Sequence, residues 1–165
     1  MTIQIGDRIP SVVIKKIIDT GLKDQNTDEI FNNKKVVLFG IPAAFSPTCS
    51  TRHMPGYLNK QNMFKALGID VVCMSVNDPF VMKAWAQFMH AEGIEMLADG
   101  NAVFTKALGL KYDGTSYGLG LRCKRFALYA VDGVVKHIAI EMPGAFKVSS
   151  ADEMLKFISS YKIAA

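Results

Sequence analysis

Apolar residues fall along this chain in short runs, separated by polar segments carrying glycine or proline. That pattern predicts strands alternating with helices. The run Val36-Val37-Leu38-Phe39-Gly40-Ile41 is continuous and rich in β-branched residues, and predicts a buried strand over 35–41. A second buried strand is expected over 69–76, and an imperfect alternation predicts an early strand over 11–18. Residues 52–67 read as a helix that Pro55 and Gly56 should kink near its start. Thr27 is expected to cap a short helix over 28–32. Asp78-Pro79 supplies an N-cap with proline at the first helical position, opening a helix to about residue 91.

Further along, a short strand over 95–98 and a short helix over 102–108 are expected. Residues 111–121, rich in glycine and tyrosine, read as a loop. Strands over 124–131 and 134–140 flank Asp132-Gly133, a hairpin turn. Ser150-x-x-Glu153 is a capping box for a last helix ending near Ser160. The first strands and helices demand parallel crossovers, whereas the hairpin demands an antiparallel pair. The expected class is α/β, with a mixed central sheet and helices on both faces.

Composition narrows the choice. A chain of 165 residues, half of them hydrophobic and 21% charged, has material for one domain spanning 1–165. The net charge of +4 comes from scattered basic groups with acids between them, which argues against a nucleic-acid face. No secretory signal and no span apolar enough for a membrane is evident. Three cysteines without framework spacing suit a reducing compartment. A cytoplasmic location is expected, or an organelle matrix if a transit peptide has been removed.

The most informative segment is Pro42-Ala43-Ala44-Phe45-Ser46-Pro47-Thr48-Cys49. It joins the buried strand to a helix start, where unpaired N–H groups and the helix dipole favour an anion. Two prolines stiffen the approach to Cys49. A thiolate is expected there.

Pro42-x-x-x-Ser46-x-x-Cys49 resembles the Pro-x-x-x-Thr/Ser-x-x-Cys signature of the peroxiredoxins. The likeness extends through His53, Pro55-Gly56, Ser75-Val76-Asn77-Asp78-Pro79-Phe80 and Arg125-Phe126 to most of the chain, and is closest to the type II, atypical or peroxiredoxin-five-like, subfamily. The resemblance implies a thioredoxin-like fold and a thiol-dependent peroxidase reducing hydrogen peroxide and alkyl hydroperoxides. Cys49 would attack and become sulfenic acid, Arg125 and Ser46 would polarise the peroxide, and Pro42 would shield the sulfur. Phe45 is expected to line an apolar wall.

Resolution is the open point. Animal relatives carry a second cysteine where Ser149 stands here, and plant-type relatives carry one at the position of Cys73. Cys73 is expected to be sequestered in the sheet. Cys123 is expected in an exposed segment, on the same face as Arg125 if that segment is extended. Both stand as candidate resolving residues beside an external thiol, either glutathione with glutaredoxin or thioredoxin. The resemblance also implies a homodimer. His53, four residues after Cys49, has no second ligand pair at metal spacing, so neither metal nor cofactor is expected. The other readings are a redox sensor or binding module with little turnover, and a disulfide oxidoreductase. The latter lacks its Cys-x-x-Cys.

Overall fold

The computed structural model describes residues 1–164, with side chains through Tyr161. A two-stranded hairpin comes first, β1 (Val13–Ile18) and β2 (Gly21–Asn26). Next are α1 (Thr27–Phe31), β3 (Lys35–Gly40), a π-helical turn (Cys49–His53), α2 (Met54–Ala66) and β4 (Ile69–Ser75). They are followed by α3 (Pro79–Phe88), β5 (Glu95–Ala98), α4 (Val103–Leu108), β6 (Lys111–Asp113) and β7 (Leu121–Cys123). The chain closes with β8 (Phe126–Val131), β9 (Val134–Ile140) and α5 (Ala151–Ala164).

The central sheet has the order β5-β4-β3-β8-β9. β3 is its middle strand, parallel to β4 and antiparallel to β8. Its alternate residues feed two apolar layers. Val37 and Phe39 face Tyr57, Met54, Trp85 and Met154 from α2, α3 and α5. Val36 and Leu38 face Phe31, Phe104 and Leu108 from α1 and α4. A strand buried on both sides needs a continuous apolar run, which is what 36–41 provides. The result is the thioredoxin-like α/β arrangement expected from the sequence.

Several local expectations are revised. β2 was not foreseen, because Gly-Leu-Lys-Asp-Gln-Asn is polar and lies mostly exposed at the hairpin edge. Asn26, not Thr27, caps α1: its side chain accepts from the Asp28 N–H. Thr27 instead accepts from Val12 N–H and donates to the Pro10 carbonyl. Residues 111–121 contain β6 and one 3-10 turn rather than loop alone. The last helix runs past Ser160 to Ala164. Asp78 does cap α3, accepting from Val81 N–H at 2.9 Å. Asp132 and Gly133 both take positive φ, +49° and +74°, as a tight hairpin turn requires.

The kink assigned to Pro55 appears instead just before it. Pro55 has no N–H to reach back to Thr51, and its ring would crowd the Thr51 carbonyl in a regular helix. The chain widens by one residue, with Met54 N–H bonding to the Cys49 carbonyl. Cys49 is the first residue of this π-turn. Gly40, at the end of β3, lies against Phe126: a Cβ there would sit 2.1 Å from the ring. Only glycine lets β3 and β8 close where the Cys49 loop departs.

Candidate active site

The loop 41–48 folds back from β3 and is tied down by polar contacts. Ala44 N–H donates to Asn77 Oδ1 at 3.1 Å, and Ser75 Oγ donates to the same oxygen at 2.6 Å. Asn77 therefore latches the loop to the end of β4. Phe45 holds a left-handed backbone, φ +66°, unusual for a bulky residue and a mark of local strain. Its ring is 49% exposed and packs 5.6 Å from that of Phe88. It is thus a half-exposed aromatic that packs on Phe88 at the surface.

The Ser46 hydroxyl donates to the Ala43 carbonyl at 2.7 Å and makes no hydrogen bond to the Cys49 sulfur. The proton is committed to the backbone, so the lone pairs are what Ser46 offers to an incoming O–H. Pro42 is half-buried at the start of the loop.

Cys49 is fully buried, in the first turn of the helix that begins at Pro47 rather than at its first residue. Its sulfur accepts from Arg125 Nη2 at 3.2 Å. The other terminal nitrogen of that guanidinium, Nη1, lies 2.9 Å from His53 Nδ1. Arginine only donates, so His53 Nδ1 must accept, and Nε2 carries the ring proton. Nε2 then donates to the Ser149 carbonyl at 3.0 Å. The Tyr57 hydroxyl donates to the same carbonyl at 2.8 Å.

Ser149 is itself held. Glu141 Oε2 accepts from the N–H groups of Lys147, Val148 and Ser149, each at 2.8 Å, and from Ser149 Oγ at 2.7 Å. Burial pushes the Glu141 carboxyl up, but these hydrogen bonds outweigh it and hold it below its ordinary value. Arg122 points elsewhere, donating to the carbonyls of Leu119 and Val76. Of the two arginines, only Arg125 reaches the sulfur.

The redoxin family model matches residues 4–155. The chain is 43% identical to the rice protein peroxiredoxin-2E-2, chloroplastic, over 94% of this chain and 72% of that one. The crystal structure of reduced Prx3 in complex with hydrogen peroxide from Vibrio vulnificus superposes with a TM-score of 0.92 at 42% identity, covering 98% and 99% of the two chains. That of the Plasmodium falciparum antioxidant protein, a 1-Cys peroxiredoxin, gives 0.89 at 27% identity, covering 96% and 99%. The chain belongs to the type II peroxiredoxins. It is a thiol-dependent peroxidase, using peroxide substrates and thiol reductants. Among the described residues, no helix is long and apolar enough to cross a membrane.

The other two cysteines of this peroxiredoxin are also buried. Cys73, in mid-β4, belongs to the same apolar layer as Cys49. Burial, then the nearby Cys49 and Cys123, raise its pKa well above the ordinary thiol value. Cys123 corrects the expectation of an exposed position. At the end of β7 it is fully buried, and its thiol donates to the Ile41 carbonyl at 3.1 Å. Burial, with the charges of Asp99 and Cys49, pushes its pKa up to about 12. Lys124 beside it is exposed, and that neighbour masked the inward alternation in the sequence.

His53 gives the site a pH signature. Burial, and secondly the Arg125 charge, lower its pKa from 6.5 to about 3. The folded state therefore keeps His53 neutral while the unfolded chain takes up a proton below 6.5. The neutral-state contribution is fully present above 6.5 and is lost as pH falls from 6.5 toward 3. Between about pH 7 and about pH 4.5, the native protein should lose about 2 kcal/mol more unfolding free energy than His53→Gln. Urea titrations at both pH values measure this. Equal losses in the two proteins would contradict it.

Proposed function

We propose that Cys49 is the peroxidatic cysteine and that this peroxidase works as a one-cysteine enzyme resolved by an external thiol. The observation that carries the reading is the Arg125 guanidinium donating to the buried Cys49 sulfur. A permanently charged fork at that distance is placed to meet charge developing on a peroxide. The sulfur attacks one oxygen of hydrogen peroxide or an alkyl hydroperoxide. The S–O bond forms as the O–O bond breaks, and the leaving hydroxide or alkoxide takes a proton to give water or alcohol. Cys49 is oxidised to sulfenic acid. Ser46 accepts a hydrogen bond from the bound peroxide, and Pro42 keeps water from the sulfur.

An incoming thiol then attacks the sulfenic sulfur, releases water and leaves a mixed disulfide. A second thiol restores Cys49 and carries away the disulfide. Ser149 cannot form a disulfide, and Cys73 and Cys123 are buried with raised pKa values, which supports an external resolver. Glutathione with glutaredoxin, or thioredoxin, fits that role. Three free cysteines suit the reducing cytoplasm or an organelle matrix, where these reductants operate. Continuous peroxide consumption should require one of the two systems. Repeated turnover with neither would overturn the external-thiol step. A sulfenic acid that neither system reduces would favour the redox-sensor reading.

The enzyme is further proposed to be a homodimer. Phe45 and Phe88 pack together beside the Cys49 loop while 49% and 66% exposed, and Phe80, at the other end of α3, is 58% exposed. An aromatic patch of this kind calls for cover. Light scattering over a concentration series should give twice the chain mass for the reduced protein. A monomer throughout would refute this.

A further inference from the structure

We propose that Asn77 is a positioning residue for the peroxide step, holding the turn before Cys49 in a left-handed conformation that the turn's own residues disfavour. The inference rests on the reading of Cys49 and Ser46 given above.

Ala43 to Ser46 form a β-turn, closed by Ser46 N–H donating to the Ala43 carbonyl at 3.3 Å. Phe45, its third residue, takes φ +66°. That place in a turn favours glycine or asparagine, because a bulky side chain there crowds the backbone. The conformation must therefore be held from outside. Among the described residues, one hydrogen bond joins residues 42–45 to anything beyond the loop, and it is Ala44 N–H to Asn77 Oδ1. The half-exposed Phe45 ring adds only its contact with Phe88.

The Asn77 amide is itself fixed. An N–H only donates, so the atom facing Ala44 is the amide oxygen. Ser75 Oγ donates to the same oxygen at 2.6 Å, and Ser75 is fully buried at the end of β4. The latch thus runs from the sheet to the turn. From the turn it reaches the reacting end. The Ser46 carbonyl accepts from Ser50 N–H at 3.0 Å, in the first turn of the helix that carries Cys49. The Ser46 hydroxyl rests on the Ala43 carbonyl, across the same turn. A Phe45 relaxed to an ordinary φ would swing both groups out of place. A merely solvated asparagine would need neither the buried Ser75 partner nor the contact with Ala44.

Oxidation of Cys49 by peroxide is followed by the fluorescence of Trp85, the chain's single tryptophan, whose Nε1–H donates to Ser50 Oγ beside Cys49 at 3.1 Å. Asn77→Ala should slow it about tenfold to a hundredfold, the scale of a misplaced reacting group. Asn77→Asp keeps the acceptor and should keep most of the rate. Glycine takes a positive φ without strain. In a Phe45→Gly background the turn needs no latch, so Asn77→Ala should cost less than about threefold relative to Phe45→Gly alone. A role in stability alone would cost the same in both backgrounds. At about pH 10, where a free thiol is ionised, iodoacetamide alkylation of Cys49 should be no slower in Asn77→Ala than in the native protein. Hydrogen exchange reads the latch itself. The Ala44 amide should exchange at least about tenfold faster in Asn77→Ala. The Ile41 amide, bonded to the Met74 carbonyl at 3.0 Å, should not change.

A folded Asn77→Ala protein with the native rate overturns the proposal. So does an Asn77→Asp protein as slow as the alanine variant, an undiminished loss on Phe45→Gly, or a parallel loss of alkylation. An unchanged Ala44 amide, or an Ile41 amide that loosens with it, overturns it too. Should Asn77→Ala not fold, hydrogen exchange of the native protein decides. The Ala44 amide must be protected, and one exchanging as fast as an open loop amide contradicts the proposal. None of these results touches the assignment of Cys49, which fails separately if Cys49→Ser retains activity.

Discussion

Peroxide consumption by Cys49→Ser should fall by roughly four orders of magnitude or more, to the uncatalysed background, as expected when a nucleophile is removed. Serine keeps the volume and the Arg125 contact, so the fold and the positive site survive. Its hydroxyl is far less nucleophilic and has no route to a sulfenic acid. The remaining thiols offer no substitute. Cys73 and Cys123 are fully buried with raised pKa values, so neither presents a thiolate near neutral pH. Stopped-flow peroxide consumption with excess reductant measures this directly. A Cys49→Ser rate within about tenfold of the native one would mean that another group performs the attack.

Arg125→Lys should slow the oxidation of Cys49 by about a hundredfold to a thousandfold, the usual cost of losing one preorganised donor at a developing negative charge. Lysine keeps the charge but presents a point donor in place of a planar fork. It cannot span the sulfur and His53 Nδ1 as Nη2 and Nη1 do. Arg122→Lys is the control. Arg122 donates to the carbonyls of Leu119 and Val76, tying the 114–120 segment to the end of β4. Its replacement should loosen that tie and change the oxidation rate by less than about tenfold. Greater damage from Arg122→Lys would reverse the assignment.

Elements whose signal is local could be read from the chain alone. The apolar run of β3, the Asp78-Pro79 start of α3 and the Asp132-Gly133 turn each carry their cause within a few residues. The Pro42 to Cys49 loop was legible because strand, prolines and cysteine are contiguous. β2 was not, since a polar edge strand lacks the alternation that marks a buried face. The kink expected at Pro55 and Gly56 falls a few residues earlier, as a π-turn, because the proline causing it acts on the preceding turn. The chain from Glu141 through Ser149 and His53 to Arg125 has no sequence signature. It joins the 141–150 loop after β9, the π-turn before α2 and the residue just before β8, which meet only when the sheet has formed. The sequence marks Ser46 as a hydroxyl of the Cys49 loop, but which partner takes its proton is decided by the loop's own fold.

The central claim is that Cys49 alone takes the oxygen and holds it as sulfenic acid until an outside thiol arrives. Mass spectrometry after one equivalent of peroxide, with dimedone present and no reductant, tests it most directly. The account predicts a dimedone adduct on Cys49, with Cys73 and Cys123 still reduced. A Cys49–Cys73 or Cys49–Cys123 disulfide as the main product, or a label on either buried thiol, would contradict it.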